Sequence, residues 1–311
     1  MADPRDSLVV TPENSMTRQH AGRASMTTRG KWLGTIAAAF TGVVVMYVVA
    51  DAHDLFLRPT DFVVVPGSDV HVRVLNGTFT SSESPVTRER LRDLTVVGDH
   101  GPVHPDTTTW TAVGKESSWH VRVDEAGTFL LGASVHPKTI RLKGADFNKY
   151  LREDGLPDVL AARRTSGELD KPAHERYSKH VKSLIRAEGP SLRAKRATGD
   201  TAFAHVLGYP AELVPLEDPY DLRPGAALTV RALVDGTPVP GQVVLAGGRT
   251  AKGTLIPERA VRTDEHGIAH VSLRSTGVWY VKFIRMRSVP DAAKDSVNYE
   301  SKWATLTFAV R

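Results

Sequence analysis

The residue best placed to do chemistry is His53, which follows an apolar run ending at Ala50. A signal peptidase cut after Ala52 would leave the His53 imidazole beside a new α-amine. These two nitrogens can chelate a transition metal, with a further histidine completing a T-shaped brace. A cut after Ala50 would make His53 the third residue, and amine, two amides and imidazole would form a square-planar Cu(II) or Ni(II) site. The sequence therefore predicts a metal site at the processed N-terminus.

Two further histidines are candidates to complete that site. His136 precedes a proline at the end of a predicted strand, and His205 lies just before a second β-rich region. Neutral imidazole is the commonest metal ligand in proteins. His71 and His120 lie on the polar faces of two predicted strands, where we expect exposed side chains that are neighbours only if the strands pair. The predicted metal ligands are therefore His53, His136 and His205.

Composition and motifs exclude several other kinds of chemistry. The chain of 311 residues has no cysteine, so disulfides, thiolate metal sites and thiol catalysis are excluded. Its net charge of +5 is spread without a basic stripe, so no nucleic-acid partner is expected. No nucleophile elbow, phosphate-binding glycine loop or H-E-x-x-H motif is present, so we do not expect an enzyme. The acidic pairs Glu153-Asp154 and Glu217-Asp218 are expected in solvated loops.

The N-terminal part of the sequence predicts export. Residues 1–28 are polar and are expected to be a disordered extension. Residues 29–52 have the basic start and apolar middle of a signal peptide, and Ala50 and Ala52 offer two cleavage sites. The alternative is an uncleaved membrane anchor through 32–49, whose 18 residues are at the lower limit for crossing a bilayer. Either interpretation places the remainder outside the cytoplasm, in the periplasm or the extracellular space.

Alternating hydrophobicity predicts two β-rich regions, over 53–140 and 201–311. In the run 69–75, valines alternate with polar residues, which is typical of a half-buried strand. The dipeptide Asp235-Gly236 predicts a two-residue hairpin. The expected fold class is mainly β, with two immunoglobulin-like or transthyretin-like antiparallel sandwiches.

The spacing of apolar residues becomes helical between these regions and predicts a helical insert over 141–200. Pro157 is placed for the first turn of one helix, which follows another with Phe147, Tyr150 and Leu151 on one face. A third helix is expected over 173–187, with Arg186 on its solvated end. Its predicted buried stripe consists of Tyr177, Val181, Leu184 and Ile185.

Seven short motifs are distributed along residues 53–311. They are the segments 53–59 (HDLFLRP), 147–156 (FNKYLREDGL), 175–179, 212–215, 263–267, 277–279 and 303–308. As a set they resemble a family of bacterial periplasmic proteins of unproven function that is labelled as a periplasmic component of nickel or cobalt uptake. The resemblance implies a β-sandwich protein that binds nickel or cobalt and has a membrane metal-uptake transporter as its partner.

The sequence supports three hypotheses about function. The first is an extracytoplasmic binding protein for Ni, Co or Cu that serves metal uptake. The second is a structural or adhesive two-sandwich module without metal. The third is a copper oxidase or oxygenase of the histidine-brace kind, which needs a second histidine near the first. Metal analysis of the native protein separates the first and third hypotheses from the second.

We predict that the protein is exported and that the mature chain starts at Asp51 or His53, because both alanines precede suitable cleavage points. Intact-mass measurement on a periplasmic fraction checks the start. A chain that retains residues 32–49 and sediments with membranes would show an anchor instead.

Overall fold

A computed structural model of the chain describes residues 53–189, 200–289 and 297–311. The predicted extension, signal segment and cleavage alanines lie outside these ranges. In chain order the strands are β1 (Asp54–Pro59), β2 (Val63–Val64), β3 (Ser68–Gly77), β4 (Leu91–Gly98), β5 (Gly101–Val103), β6 (Trp110–Val113), β7 (Glu116–Val123), β8 (Gly127–Val135), β9 (Lys138–Leu142), β10 (Ala173–Ala187), β11 (Ala211–Pro215), β12 (Ala227–Val234), β13 (Thr237–Pro238), β14 (Val243–Thr250), β15 (Leu255–Arg262), β16 (Ile268–Ser272), β17 (Gly277–Ser288) and β18 (Tyr299–Val310). The helices are α1 (Gly144–Glu153) and α2 (Pro157–Thr165), with short 3-10 turns at Arg88–Arg90, Thr107–Thr109, Ala202–Ala204 and Pro219–Asp221. The predicted mainly-β class is confirmed.

One large sheet runs through the middle of the described chain. Its strand order is β15-β14-β17-β18-β10-β8-β4-β5, and β2 and β9 also pair with β10. Most neighbours are antiparallel, as expected, but β10 and β18 pair in parallel from Glu175 opposite Tyr299 to Ser183 opposite Thr307. Strands from both predicted β-rich regions therefore belong to the same central sheet.

Two smaller sheets cover opposite faces of this central sheet. The N-terminal sheet has the order β1-β3-β7-β6, and the C-terminal sheet joins β11, β12 and β13 with β16 alongside β12. Alternate side chains of a strand point to opposite faces. Accordingly, Val181 and Ile185 of β10 pack in the core of the N-terminal sheet, whereas Leu184 packs in the core of the C-terminal sheet. Each sandwich core thus has the central sheet as one wall.

The structure shows both the alternating strand and the hairpin turn that the sequence predicts. Val70, Val72 and Val74 are buried on one face of β3, where they pack in the core of the N-terminal sheet. Asp235 and Gly236 have φ of 49° and 75°, and they connect β12 to β13. Positive φ at both positions is the requirement of a type I′ hairpin turn, which Asp-Gly meets well.

The two helices pack on the same face of the central sheet as the N-terminal sheet does. Phe147 and Leu151 of α1 are fully buried against Trp303 and Met286 of the central sheet, and this confirms the helical stripe predicted there. Pro157 occupies the first turn of α2, also as predicted. No helix in the described ranges is long and apolar enough to cross a membrane.

The third predicted helix is wrong, because residues 173–187 form the 15-residue strand β10. Of its predicted stripe, Val181, Leu184 and Ile185 are fully buried and Tyr177 is half-buried, but they point to both faces of a sheet. The polar residues between them resembled the solvated side of a helix. They are in fact interior residues, since the strand is covered on both faces.

Buried polar residues of β10 have partners that the sequence alone does not reveal. Arg186, expected on a solvated helix end, is 2% exposed and lies 2.6 Å from the Asp218 carboxylate. Lys182 is equally buried and lies 2.5 Å from Glu212. A buried charge is tolerated only when it is paired and hydrogen-bonded. Because its cations are paired, β10 can be buried on both faces and still fold.

We expect Leu184→Ala to lower the free energy of unfolding by about 2–5 kcal/mol, because it removes a fully buried side chain from the core of the C-terminal sheet. Chemical denaturation measures the change. Leu255→Ala is the matched control, since Leu255 is 58% exposed and its substitution should change stability by less than about 0.5 kcal/mol. Equal effects of the two substitutions would contradict the packing of β10.

Candidate functional site

A pocket of about 490 Å³ lies where the described chain begins, between the N-terminal sheet and α1. Residues of β1, of the loop after β3, of α1 and of the central strands β15 and β17 line it. Its lining includes the basic residues His53 and Lys149 and five residues with carboxylate side chains. These carboxylates belong to Asp54, Asp146, Glu153, Asp154 and Glu258. The pocket is therefore strongly acidic.

The ammonium group of Lys282, which does not itself line the pocket, contacts three of these carboxylates. Its Nζ atom is 2.5 Å from Asp54, 3.0 Å from Glu258 and 3.5 Å from Asp154. These acids come from β1, β15 and the C-terminal end of α1, so the ammonium joins three parts of the fold. Burial alone would lower the pKa of Lys282, but the three carboxylates outweigh it and raise the pKa.

One ammonium does not neutralise three carboxylates. Burial, together with the charge of Asp54, raises the pKa of Asp154 to about 7, although Lys282 opposes that shift. The Oδ1 atom of Asp54 is buried and has no hydrogen-bond partner among the described residues, while its Oδ2 atom contacts Lys282. The three acids around Lys282 thus carry more negative charge than its ammonium balances.

Lys179 of β10 holds the backbone of His53 in place. The Lys179 Nζ atom donates to the carbonyl of His53 and, over 3.0 Å, to Oδ1 of Asn76. It lies 5.3 Å from the ring centroid of Tyr177 and 5.2 Å from that of Trp303. Burial lowers the pKa of Lys179 to about 8. This lysine therefore holds the start of the described chain against the central sheet.

Tyr150 connects the pocket to a buried carboxyl group. Its hydroxyl donates to Oε1 of Glu175 over 3.2 Å, and Ser301 donates to the same oxygen. The indole of Trp303 in turn donates to Ser301 Oγ over 2.9 Å. Burial raises the pKa of Glu175 to about 7, despite these hydrogen bonds.

Three aromatic rings form the apolar wall of the pocket. Phe56, Phe79 and Tyr280 contact one another with ring centroids 4.7–5.2 Å apart. The Tyr280 hydroxyl donates to Glu258 Oε1 over 2.8 Å, which orients a carboxylate that also contacts Lys282. The wall therefore positions one of the pocket's acids.

The imidazole of His53 lies at the rim. Its Nε2 atom is 2.8 Å from Oε2 of Glu83, and the two side chains are 23% and 51% exposed. The ring is thus held by a carboxylate yet remains in contact with solvent. His53 is the single histidine in the pocket lining.

The other predicted ligands lie elsewhere. Lys182 donates to the carbonyl of His205 over 3.3 Å, on the face of β10 that the C-terminal sheet covers. Lys179, which bonds to His53, points to the opposite face. His136 is exposed after β8, and its carbonyl accepts from Arg90 over 2.8 Å. Within the three described ranges, no group of three or more His, Asp or Glu side chains is arranged to hold a metal ion.

His71 and His120 are neighbours, because β3 and β7 pair with these residues opposite each other. Their ring centroids are 5.0 Å apart, and both side chains are exposed, as expected.

Sequence reasoning missed the acids that build the pocket. Asp154 was expected in a solvated loop but lies beside Lys282. Asp218, which does not line the pocket, was also expected in a loop and is buried against Arg186. A usable signal was the helical spacing of Asp146, Tyr150 and Asp154, which places them on one face of α1. The sequence does not show which residues contact that face of α1.

The fold and pocket define a three-layer β protein with an acidic pocket. Residues 50–287 match the model of a domain of unknown function, DUF4198. The chain belongs to this family. No curated protein matches it.

Two solved structures resemble the chain weakly. One is described as a tetra-tandem repeat in the extending region of a large adhesion protein, with 11% identity, a TM-score of 0.19 and coverage of 83% of this chain and 49% of that chain. The other is described as a biofilm-associated protein, BSP domain, with 8% identity, a TM-score of 0.17 and coverage of 81% and 29%. This chain spans about half the length of the first and under a third of the second. Likeness at these TM-scores carries no inference about function.

We expect Glu175→Gln to flatten the pH dependence of stability. The pKa of Glu175 is about 7 in the folded protein against an ordinary 4.5, so its contribution is fully present below pH 4.5 and is lost as pH rises through 7. The loss is about 3 kcal/mol. Glutamine does not titrate and can still accept from Tyr150 and Ser301.

Urea denaturation at pH 5 and pH 8 measures this effect. The wild-type protein should lose more stability than Glu175→Gln over that interval, by about 2–3 kcal/mol. Glu265→Gln is the control, because the Glu265 side chain is 86% exposed. Identical profiles for wild type and Glu175→Gln would contradict the assignment.

Proposed function

We propose that this protein is an exported binding protein for a transition-metal cation, Ni(II), Co(II) or Cu(II), with His53 as the central metal ligand. The observation that carries this proposal is the position of His53 at the rim of a pocket lined by five carboxylates. Processing after Ala50 or Ala52 would put the same residue within two positions of a free α-amine.

The acidic pocket supplies attraction for cations. Carboxylates lining a cleft focus the electrostatic field and raise the local concentration of positive ions. The partners of His53 are compatible with this role, since Glu83 holds the ring by its Nε2 atom and Lys179 fixes its backbone.

Nitrogen ligands determine which metals are favoured. His53 provides one imidazole nitrogen, and the processed terminus would add its amine and, for a chain that starts at Asp51, two amide nitrogens. Such nitrogen-rich sites favour Cu(II) and Ni(II) over Mg²⁺ or Ca²⁺. The resemblance to proteins labelled for nickel or cobalt uptake agrees with this choice. It also favours a membrane uptake transporter as the partner outside the cytoplasm.

A binding role is better supported than a copper oxidase. A histidine brace needs a second imidazole near the first, and His53 is the single histidine in the pocket lining. Within the described residues, His205 and His136 lie outside the pocket. The structural or adhesive module without metal is the outcome that a negative binding experiment would favour.

Isothermal titration of the processed protein with Ni(II), Cu(II) and Co(II) tests the proposal. We expect one metal ion per chain and a loss of affinity of about tenfold or more in His53→Ala. Acidification to pH 5 should release the metal, because amine and imidazole take up protons. His136→Ala and His205→Ala should bind normally, since both residues lie away from the pocket.

His266→Ala is the matched control, because His266 lies in a turn with a 72% exposed side chain. A protein with one extra residue before its native terminus should fold normally and bind more weakly. If that protein and His53→Ala bind Ni(II) and Cu(II) as tightly as wild type, the N-terminus is not the site.

A further inference from the structure

The His53 imidazole is held by one of its two nitrogen atoms. Its Nε2 atom lies 2.8 Å from Oε2 of Glu83, and no described residue hydrogen-bonds to its Nδ1 atom. An ionised carboxylate only accepts hydrogen bonds, so the proton of this contact belongs to Nε2 of the ring. In a neutral imidazole the other nitrogen, Nδ1, then carries the lone pair that a metal ion requires.

Nδ1 is also the ring nitrogen that can share a metal ion with the processed terminus. It is bonded to the ring carbon that carries Cβ, whereas Nε2 lies on the far side of the ring. The backbone nitrogen of His53, whether it is the terminal amine or a deprotonated amide, can therefore chelate a metal ion only together with Nδ1. Cleavage after Ala50 and cleavage after Ala52 lead to the same requirement.

We infer that Glu83 is a positioning residue for the N-terminal site, because its carboxylate holds the Nε2–H side of the His53 ring and leaves Nδ1 to the metal ion. The inference rests on the proposed function and deepens it. Metal-binding histidines donate their second N–H group to a carboxylate, carbonyl or water, which fixes the tautomer and the direction of the ring. Glu83 stays on the imidazole when the metal binds and is not itself a ligand.

The loop that carries Glu83 is fixed to the strand before it. The Glu83 amide donates to the carbonyl of Asn76 over 3.0 Å, and the Asn76 side chain donates to Ser84 Oγ over 2.8 Å. Gly77 leaves room for this close approach, since a Cβ atom there would lie 2.6 Å from a carbonyl oxygen of the loop. Glu83 therefore reaches His53 from a defined backbone position.

Asn76 also joins the two contacts of His53. Its Oδ1 atom accepts from the ammonium of Lys179 over 3.0 Å, and the same ammonium donates to the carbonyl of His53. Lys179 thus holds the backbone of His53 and Glu83 holds its ring, and both holders are bonded to Asn76. Backbone and ring are fixed relative to each other, as a chelate of one backbone nitrogen and one ring nitrogen requires.

Isothermal titration of processed Glu83→Ala with Ni(II) and Cu(II) tests the inference. We expect a loss of affinity of about tenfold or more, as for other residues that orient a metal ligand. If the metal ion instead took Nε2 and displaced the carboxylate, the substitution would leave the affinity unchanged or raise it. Unchanged or tighter binding therefore overturns the inference.

Glu153→Ala is the matched control, because Glu153 is an exposed carboxylate in the lining of the pocket that His53 also lines. It removes the same charge, while the carboxylate on the His53 ring, that of Glu83, stays in place. We expect a change in affinity of less than about threefold, as for other exposed charges. Equal losses in the two variants would show that only negative charge matters and would overturn the role of Glu83.

Nuclear magnetic resonance of the metal-free protein reads the tautomer of His53 directly. Long-range proton–nitrogen spectra at pH 8, where a free imidazole is neutral, distinguish a proton on Nε2 from one on Nδ1. We expect the proton on Nε2 in wild type and a mixture of tautomers in Glu83→Ala. A wild-type proton on Nδ1, or the same tautomer populations in both proteins, would overturn the inference. The wild-type spectrum decides the first point even if circular dichroism shows that the variant is unfolded.

The inference and the proposed function can fail separately. If wild type binds neither Ni(II) nor Cu(II), the proposed function fails, but different tautomer populations in wild type and Glu83→Ala still support the role of Glu83 on the ring. Conversely, if wild type binds metal through His53 and Glu83→Ala binds it equally well, the proposed function stands and the inference is overturned.

Discussion

The structure depends on the burial of β10 within a sheet that is covered on both faces. This strand carries Lys179, Lys182 and Arg186 into the interior, and each cation has a fixed partner. Removing one partner of a buried pair is strongly destabilising, because it leaves an uncompensated charge. The pairs therefore fix where β11, the Pro219–Asp221 turn and the start of β1 lie against the central sheet. In this way a single strand positions both smaller sheets.

The pocket is a result of the same arrangement. The N-terminal sheet and the helices lie on one face of the central sheet, and the pocket occupies the space between them. Lys179 holds His53 at its rim, while Lys282 contacts acids from three elements that line it. Two lysines on the same face thus have different roles, one bound to the backbone and one to carboxylates.

Local patterns predicted much of this fold. The alternation of Val70, Val72 and Val74 and the Asp235-Gly236 turn were readable, because each depends on neighbours a few residues away. The strand β10 was not, since its apolar spacing also fits a helix and its cations resemble a solvated surface. Only partners far along the chain, such as Asp218 for Arg186, decide between these interpretations. The pocket had the same difficulty, because its acids come from distant parts of the chain. Of the three predicted metal ligands, His53 lines the pocket and His136 and His205 do not, and metal binding by His53 stays a prediction.

The first strand of the fold is bonded to the last. Thr305 of β18 donates to the carbonyl of Leu55 in β1, across 250 positions of sequence. Contacts this distant form late in folding, because the entropy of closing a long loop must be overcome first. During synthesis the N-terminal end emerges early and β1 can pair with β3, but its contact with β18 must wait until β18 has been made. His53 and the acids of the pocket therefore come together in one of the last steps of maturation, and an incomplete chain presents no assembled pocket to cations.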